Sequence, residues 1–422
     1  MPETKAAPTM TRLRAWPIVA GLFGGLVLGG ALHALNANTD TATSIARLVG
    51  SLWLNALRMT LVPLIFSLVV TGIAAAASNR AGGQLGRRTG FLFVSLLLLS
   101  AFVGVVLGSL LLDMGPAASI AAVKPNSVEL PEASAWILGM VPSNIVSSAA
   151  DGAIVPLVLF ALIFALAAVR LGDRASQVLG FFEAVSEIMV TIVHWVLFVA
   201  PIGVFALAFS LGATTGFGAG AFVGWYVVVQ IIATLLLAAF MYPLAVKSGL
   251  SFGAFSRAAA PAQAVAASTQ SSLASLPLMV EAAERLGLPE KSAAVVLPLA
   301  VAVFRIAAPA SIVIVTLALS RIMGVELGWP QLAIVMLMAT LNTLVIAGLP
   351  NQITFFAAYA PPALAVGVPV ELLPIFLAID AIPDIFYTVT NVTADLAVTS
   401  AVSGGPSAPP TAEMDQSAAA PE

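Results

Sequence analysis

The chain has 422 residues, of which 60% are hydrophobic and 9% are charged, and its mean hydropathy is +1.05. Soluble domains average about 25% charged residues, so this composition excludes an ordinary soluble protein and indicates an all-α polytopic membrane protein. The chain has no cysteine, which excludes thiol and disulfide chemistry, and its net charge of −3 without a basic patch gives no support for nucleic-acid binding.

Apolar stretches long enough to cross a bilayer follow one another through the first 250 residues. They predict helices at about 15–36, 47–77, 89–112, 135–169, 177–211 and 221–246. The apolar stretch 16–35 is too long for the core of a signal peptide, so we expect a first membrane helix after a short cytoplasmic segment, 1–14. With the N-terminus inside, 12 of the 17 Lys and Arg residues fall on the cytoplasmic side, which predicts a plasma or inner membrane protein in this orientation.

Two later segments do not resemble ordinary membrane spans. Residues 251–277 are small and polar, and the apolar run 329–369 is interrupted around 348–351. Each is followed by a full-length helix, which suggests two halves of an inverted repeat whose broken helices line a cavity. The alternatives are a cytoplasmic loop at 251–277 and a kinked span at 329–369.

Polar side chains share one face of the last apolar helix, 376–398. At about 100° per residue they fall within roughly an 80° arc. They are Asp380, Asp384, Thr388, Asn391 and Asp395. Carboxylates at mid-bilayer are costly, so we interpret Asp384 as part of a functional site. For Asp380, a structural role in a pair with a neighbouring helix is an equally good interpretation.

Six stretches, in the same order along the chain, resemble the dicarboxylate/amino acid:cation symporters, the glutamate-transporter family. They are LNALRMTLVPLIFSLVVTGIAAA, VPSNIVSSAADGAIVPLVLFALIFALA, VAPIGVFALAF, STQSSLASLP, AGLPN and IDAIPDIFYTVTNVTADL. The resemblance covers residues 16–402 and implies eight transmembrane helices plus two re-entrant helical hairpins. Helices 1, 2, 4 and 5 would form a homotrimeric scaffold. Helices 3 and 6, both within 15–250, would join the hairpins and helices 7 and 8 of 251–402 in a moving transport domain. The Pro- and Ala-rich tail, 403–422, is expected to be disordered and cytoplasmic.

The resemblance also implies roles for the polar face of the last helix. Asp384 would bind the amino group of a substrate and Asn391 its α-carboxylate, with Thr388 and Tyr387 at further substrate-contacting positions. Asp395 matches a sodium ligand. Such roles suit the chemistry, since an ammonium needs a desolvated acceptor and an amide donates to a carboxylate.

The two hairpin tips carry the other implied substrate contacts. At the first tip, Ser271 and Ser272 match two of the family's three serines; Leu273 replaces the third, and Gln270 stands where many members carry Arg. At the second tip, Gly348 is a substrate-contacting candidate, and residues 348–351 would form the outer gate. An ordinary polar turn is the alternative for the serines.

The sodium motifs of the family are altered in this chain. Phe304 and Ile306 replace its Asn and Asp in the seventh helix, and Leu96 and Leu99 replace oxygen ligands in the third, where Ser100 is retained. A hard cation needs oxygen ligands, so standard sodium coupling is not expected. The remaining sodium-site candidates are Asn391 and Asp395. Protons are the other candidate coupling cation, carried by Asp380, Asp384 or Asp395, because burial in a cavity favours a protonated carboxyl group.

Arg305 is a basic residue in the middle of an expected helix of the transport domain. We hypothesise that its guanidinium stands where a bound cation would otherwise lie and neutralises Asp395 or Asp380. The alternative is an Arg that faces lipid and extends to the interface, which is costly at mid-helix.

The sequence therefore predicts a secondary active symporter that moves a small amino acid or dicarboxylate by elevator-type alternating access, with no cofactor and no enzymatic activity. Tyr387 stands where members that carry acidic substrates have Arg, which favours a neutral or small polar amino acid; a dicarboxylate fits if Arg305 reaches the pocket. The alternative is an uncoupled facilitator, anion pathway or sensor on the same scaffold.

Overall fold

The computed structural model describes residues 15–78, 84–116, 141, 143–151, 154–345 and 351–406. Within these ranges the structure is helical, with no strand. The helices are α1 (Ala15–Ala34), α2 (Asp40–Ser78), α3 (Gln84–Asp113), α4 (Ile145–Ala150), α5 (Ile154–Leu171), α6 (Ser176–Phe198), α7 (Ala200–Thr215), α8 (Gly218–Lys247), α9 (Phe252–Thr269), α10 (Ser272–Arg285), α11 (Glu290–Val303), α12 (Ala307–Ile322), α13 (Trp329–Val345), α14 (Asn351–Ala365) and α15 (Leu373–Ser403).

Six helical stretches of the described residues are long and apolar enough to cross a membrane, which confirms a multi-pass membrane protein. The finer prediction of eight transmembrane helices with two re-entrant hairpins stays a prediction. The span expected at 177–211 is two helices, α6 and α7, which meet at Val199. Pro201 explains the division, because proline lacks a backbone N–H and is accommodated in the first turn of a helix.

Glycines allow α1 and α7 to pack with their backbones nearly in contact. A Cβ atom at Gly21 would lie 2.6 Å from the carbonyl oxygen of Pro201, and one at Gly25 would lie 2.5 Å from that of Phe205. Gly29 repeats this approach one turn further along α1. Small residues every four positions are typical of closely packed membrane helices.

The described helices pack in two groups. In the first, α1 lies along α7, and α2 packs against α5, α6 and α7. In the second, α15 packs against α8, α9, α10 and α11, while α3 packs against α8, α12 and α13. The second group contains the polar face of α15.

Residues 251–277 form packed helices rather than a loop. The pair α9 and α10 is joined at Gln270 and Ser271, where Gln270 has a left-handed backbone with φ of 52°. The pair α13 and α14 also packs together, but residues 346–350 between them, including Gly348, lie outside the described residues.

Candidate functional site

The polar face of α15 points into the protein. Asp380 and Asp395 are each only 1% exposed, and Thr388 and Asn391 are also buried. Asp384 is half-buried. The predicted stripe of carboxylates and amide is therefore an interior surface, which requires partners from neighbouring helices.

A break in the helical chain faces this stripe. The sequence-based expectation of Arg305 in mid-helix was wrong: α11 ends at Val303, and α12 begins at Ala307. Phe304 is extended, and its ring stacks on that of Phe93 with the ring centres 4.4 Å apart. Arg305 is thus held in irregular backbone, which a membrane interior tolerates where side chains satisfy its polar groups.

Two side chains satisfy the backbone at this break. The Oδ1 atom of Asn391 accepts a hydrogen bond of 3.0 Å from the backbone N–H of Ala307, at the start of α12. Ser100 Oγ donates to the carbonyl oxygen of Ile306 and accepts from the N–H of Ala310 at 3.2 Å. Because Oδ1 of Asn391 is engaged, its Nδ2 group is the end available to donate to another molecule.

Arg305 is half-buried, and its charge acts on the stripe. Its positive charge interacts electrostatically with the carboxylates of Asp380, Asp384 and Asp395. The guanidinium thus lies close enough to act on the charges of all three predicted carboxylates; that Arg305 replaces a bound cation stays a prediction. Which carboxylate Arg305 neutralises stays a prediction.

Asp395 lies in an apolar setting. Neither of its carboxylate oxygens has a hydrogen-bond partner among the described residues. The replaced sodium-motif residues are apolar and well packed, since Phe304 is 1% exposed and Ile306 is fully buried. Across the described ranges, no three His, Asp or Glu side chains come together as a metal site.

The turn between α9 and α10 is attached to α15 beside the carboxylates. The Nε2 group of Gln270 donates a hydrogen bond of 2.7 Å to the carbonyl oxygen of Ala381. Ser271 caps α10 by accepting from the N–H of Ala274, and Ser272 is the first residue of that helix. The helix N-terminus at Ser272 offers N–H donors that suit a carboxylate.

Tyr387 belongs to a hydrogen-bonded cluster that sequence reasoning missed. Its phenol oxygen accepts a bond of 2.9 Å from Ser311, whose Oγ atom also lies 2.8 Å from the phenol oxygen of Tyr359. Gln230 donates to Tyr226 at 2.8 Å and lies 3.2 Å from Ser311 Oγ. These residues are far apart in sequence. The feature of the sequence that could have indicated the cluster is that each is a polar side chain within an apolar helix.

Known proteins resemble this chain over most of its length. The model of the sodium:dicarboxylate symporter family matches residues 15–404. The proton/sodium-glutamate symport protein of Bacillus subtilis (strain 168) is 27% identical over 88% of this chain and 89% of its own. The proton/glutamate-aspartate symporter of Escherichia coli (strain K12) is 27% identical over 90% of this chain and 89% of its own length. The C4-dicarboxylate transport protein of Rhodopseudomonas palustris (strain BisB18) is 25% identical over 81% of this chain and 78% of its own length.

Proposed function

The chain belongs to the sodium:dicarboxylate symporter family, and we propose that it carries a small amino acid or dicarboxylate across the membrane together with a proton, without the standard sodium site. The names of its relatives, which include glutamate, aspartate and C4-dicarboxylate carriers, support a small substrate that bears a carboxylate. The observation that carries the proposal is the position of Arg305 at the α11–α12 break, with its charge acting on the stripe.

The substrate site consists of the stripe and the turn between α9 and α10. Asn391 presents Nδ2 to the substrate carboxylate, and the first N–H groups of α10 at Ser271 and Ser272 complete its binding. Asp384, half-buried one turn after Asp380, accepts the amino group when the substrate is an amino acid. Thr388 and Tyr387 lie on the same helix and shape the site.

Charge balance favours a proton over sodium. One guanidinium cannot neutralise three carboxylates, of which Asp380 and Asp395 are buried, so the site needs a further cation when all three are ionised. The fixed positive charge of Arg305 takes the place of one bound cation, so the site can keep its structure without sodium. The side chains of Phe304 and Ile306 supply no oxygen ligands, whereas a proton requires a single carboxylate oxygen.

The two packing groups suit an elevator movement. The group around α2 and α7 would be the scaffold of a homotrimer, and the group around α15 would move against it. Arg58 of α2 forms an ion pair of 2.7 Å with Glu371, which precedes α15. Both side chains are at least one-third exposed, and exposed pairs contribute about 0–1 kcal/mol, so this pair is weak enough to break during movement.

A thermal-shift panel tests the site without requiring transport. Purified full-length protein is heated with L-glutamate, L-aspartate, L-serine, L-alanine or succinate, in sodium chloride or choline chloride, at two pH values. We expect at least one compound to raise the melting temperature, because a ligand at 100 times its Kd stabilises the folded state by about 2.7 kcal/mol. The rise should be equal in both salts, because the proposed site binds its substrate without sodium. Stabilisation in sodium alone would show that a sodium site exists.

A further inference from the structure

Helix α3 holds the residues on both sides of Arg305. The ring of Phe93 stacks on that of Phe304 with the ring centres 4.4 Å apart, and the Oγ atom of Ser100 donates a hydrogen bond to the carbonyl oxygen of Ile306. Phe304 and Ile306 are buried, whereas Arg305 between them is half-buried. The backbone that carries the guanidinium is therefore held on both sides by one helix.

The two contacts come from one face of α3. Phe93 and Ser100 are seven residues apart, which places them within roughly 20° of each other around the helix. Leu97 lies between them on this face and is fully buried, whereas Val94 and Leu98 are exposed. This face of α3 is therefore the one that packs against the break between α11 and α12.

The Ser100 hydroxyl lies across the first turn of α12. It donates to the carbonyl of Ile306 and accepts, at 3.2 Å, from the backbone N–H of Ala310, four residues later. Ser100 is fully buried, and its single hydroxyl proton is used by this carbonyl. A side chain that enters the hydrogen-bond ladder between residues four apart is one cause of a local bend in a helix. The hydroxyl thus helps to determine where α12 begins.

A glycine brings α3 close enough for this short side chain to reach α12. A Cβ atom at Gly104, one turn after Ser100, would lie 2.7 Å from the Cα atom of Ala310 and 2.8 Å from its carbonyl oxygen. Only a residue without a Cβ atom allows two helix backbones to approach so closely. At Gly90, on the same helix, a Cβ atom would meet nothing within 4 Å. The close approach therefore occurs where Ser100 contacts α12.

A second helix holds the same segment. The Oδ1 atom of Asn391, on the polar face of α15, accepts from the N–H of Ala307, two residues after Arg305. Residues 304–306 have no regular helical structure, so their course depends on these bonds to α3 and α15.

We propose that Ser100 is a positioning residue for Arg305: its hydroxyl, together with the ring of Phe93, fixes the backbone so that the guanidinium stays beside the polar face of α15. Ser100 acts on substrate binding through the position of this charge and not by touching the substrate. This inference rests on the role proposed above for Arg305.

Arginine footprinting of the purified full-length protein tests the position of Arg305 without substrate or sodium. Phenylglyoxal modifies guanidinium groups, and mass spectrometry gives the rate at Arg305 relative to that at the exposed Arg257 of α9. We expect Ser100→Ala to raise this relative rate about fivefold, the change in an equilibrium constant that corresponds to losing one typical hydrogen bond. Arg321, near the other end of α12, should keep its rate, which excludes a general loosening of the protein.

A second variant displaces the hydroxyl without removing it. Gly104→Ala places a Cβ atom against the backbone of Ala310, so α3 must move away from α12 and the bonds of Ser100 lengthen. We expect the relative rate at Arg305 to rise as it does in Ser100→Ala.

Two substitutions on the same helix are the matched controls. Ser95→Ala removes an exposed hydroxyl that donates within its own helix, and Gly90→Ala adds a Cβ atom in open space. Both should keep the wild-type rate at Arg305. A wild-type rate at Arg305 in a folded Ser100→Ala or Gly104→Ala protein would overturn the inference.

The effect on substrate binding is measured separately. Ser100→Ala should weaken sodium-free binding of the stabilising compound about fivefold in the thermal-shift panel, whereas Ser95→Ala should not. A raised rate at Arg305 with unchanged affinity would contradict the effect of Ser100 on substrate binding. A raised rate in a protein that no compound stabilises would support the fixed position of Arg305 and contradict the proposed function, so the two proposals can fail independently.

Discussion

Arg305→Met is expected to lower sodium-independent uptake by at least about a hundredfold, or to make uptake depend on sodium. The substitution removes the positive charge that acts on Asp380, Asp384 and Asp395, of which Asp380 and Asp395 are buried. Leaving a buried carboxylate without its compensating charge costs roughly 3–5 kcal/mol, and because Arg305 is itself half-buried we expect the lower end of that range, about a hundredfold in a binding constant. Sodium would rescue uptake if it can take the place of the lost guanidinium.

Two variants serve as controls for this measurement. Arg305→Lys keeps the charge but not the planar donor geometry, so we expect it to retain part of the sodium-independent uptake. Arg321→Met removes an arginine near the end of α12 that pairs with Asp113, and it should leave uptake near wild type. Unchanged sodium-independent uptake in a folded Arg305→Met protein would contradict the role of Arg305.

Asn391→Asp is expected to weaken substrate binding by at least about tenfold while the protein stays folded. The aspartate keeps an oxygen acceptor for the backbone N–H of Ala307, so the start of α12 remains capped. The aspartate lacks the Nδ2 donor and places a negative charge where the substrate carboxylate binds. Because a hydrogen bond to a charged group contributes about 1.5–3 kcal/mol, its loss accounts for the expected weakening. The measurement is the concentration dependence of the thermal shift.

Asn391→Ala separates the two roles of this amide. It removes the acceptor as well as the donor, so we expect it to lower the melting temperature of the ligand-free protein, unlike Asn391→Asp. Wild-type affinity in Asn391→Asp would show that the substrate carboxylate binds elsewhere.

The sequence was sufficient to predict a polytopic helical membrane protein and its family. It also predicted the polar face of α15, because the spacing of Asp380, Asp384, Asn391 and Asp395 fixes their face once the segment is helical. The face is turned into the protein in the structure because carboxylate and amide groups are costly against lipid.

The break around Arg305 was only partly predictable from local sequence. Pro309 lies in the first turn of α12 and has no N–H to donate to the carbonyl oxygen of Arg305, which favours a helix start near this point. The geometry of residues 304–306, however, depends on tertiary hydrogen bonds from Ser100 and Asn391. The hydrogen-bonded cluster around Ser311 was missed for the same reason: Gln230 and Ser311 are 81 residues apart, so their contact depends on how whole helices pack.

Accumulation of substrate in proteoliposomes tests the central claim most directly. Vesicles containing the full-length protein, free of sodium, are given an inward proton gradient and a radiolabelled compound that stabilises the protein in the thermal-shift panel. The account predicts that the compound accumulates above its external concentration and that collapsing the proton gradient abolishes the accumulation. Equilibration without accumulation would indicate an uncoupled facilitator, and accumulation that requires sodium would contradict the sodium-free site.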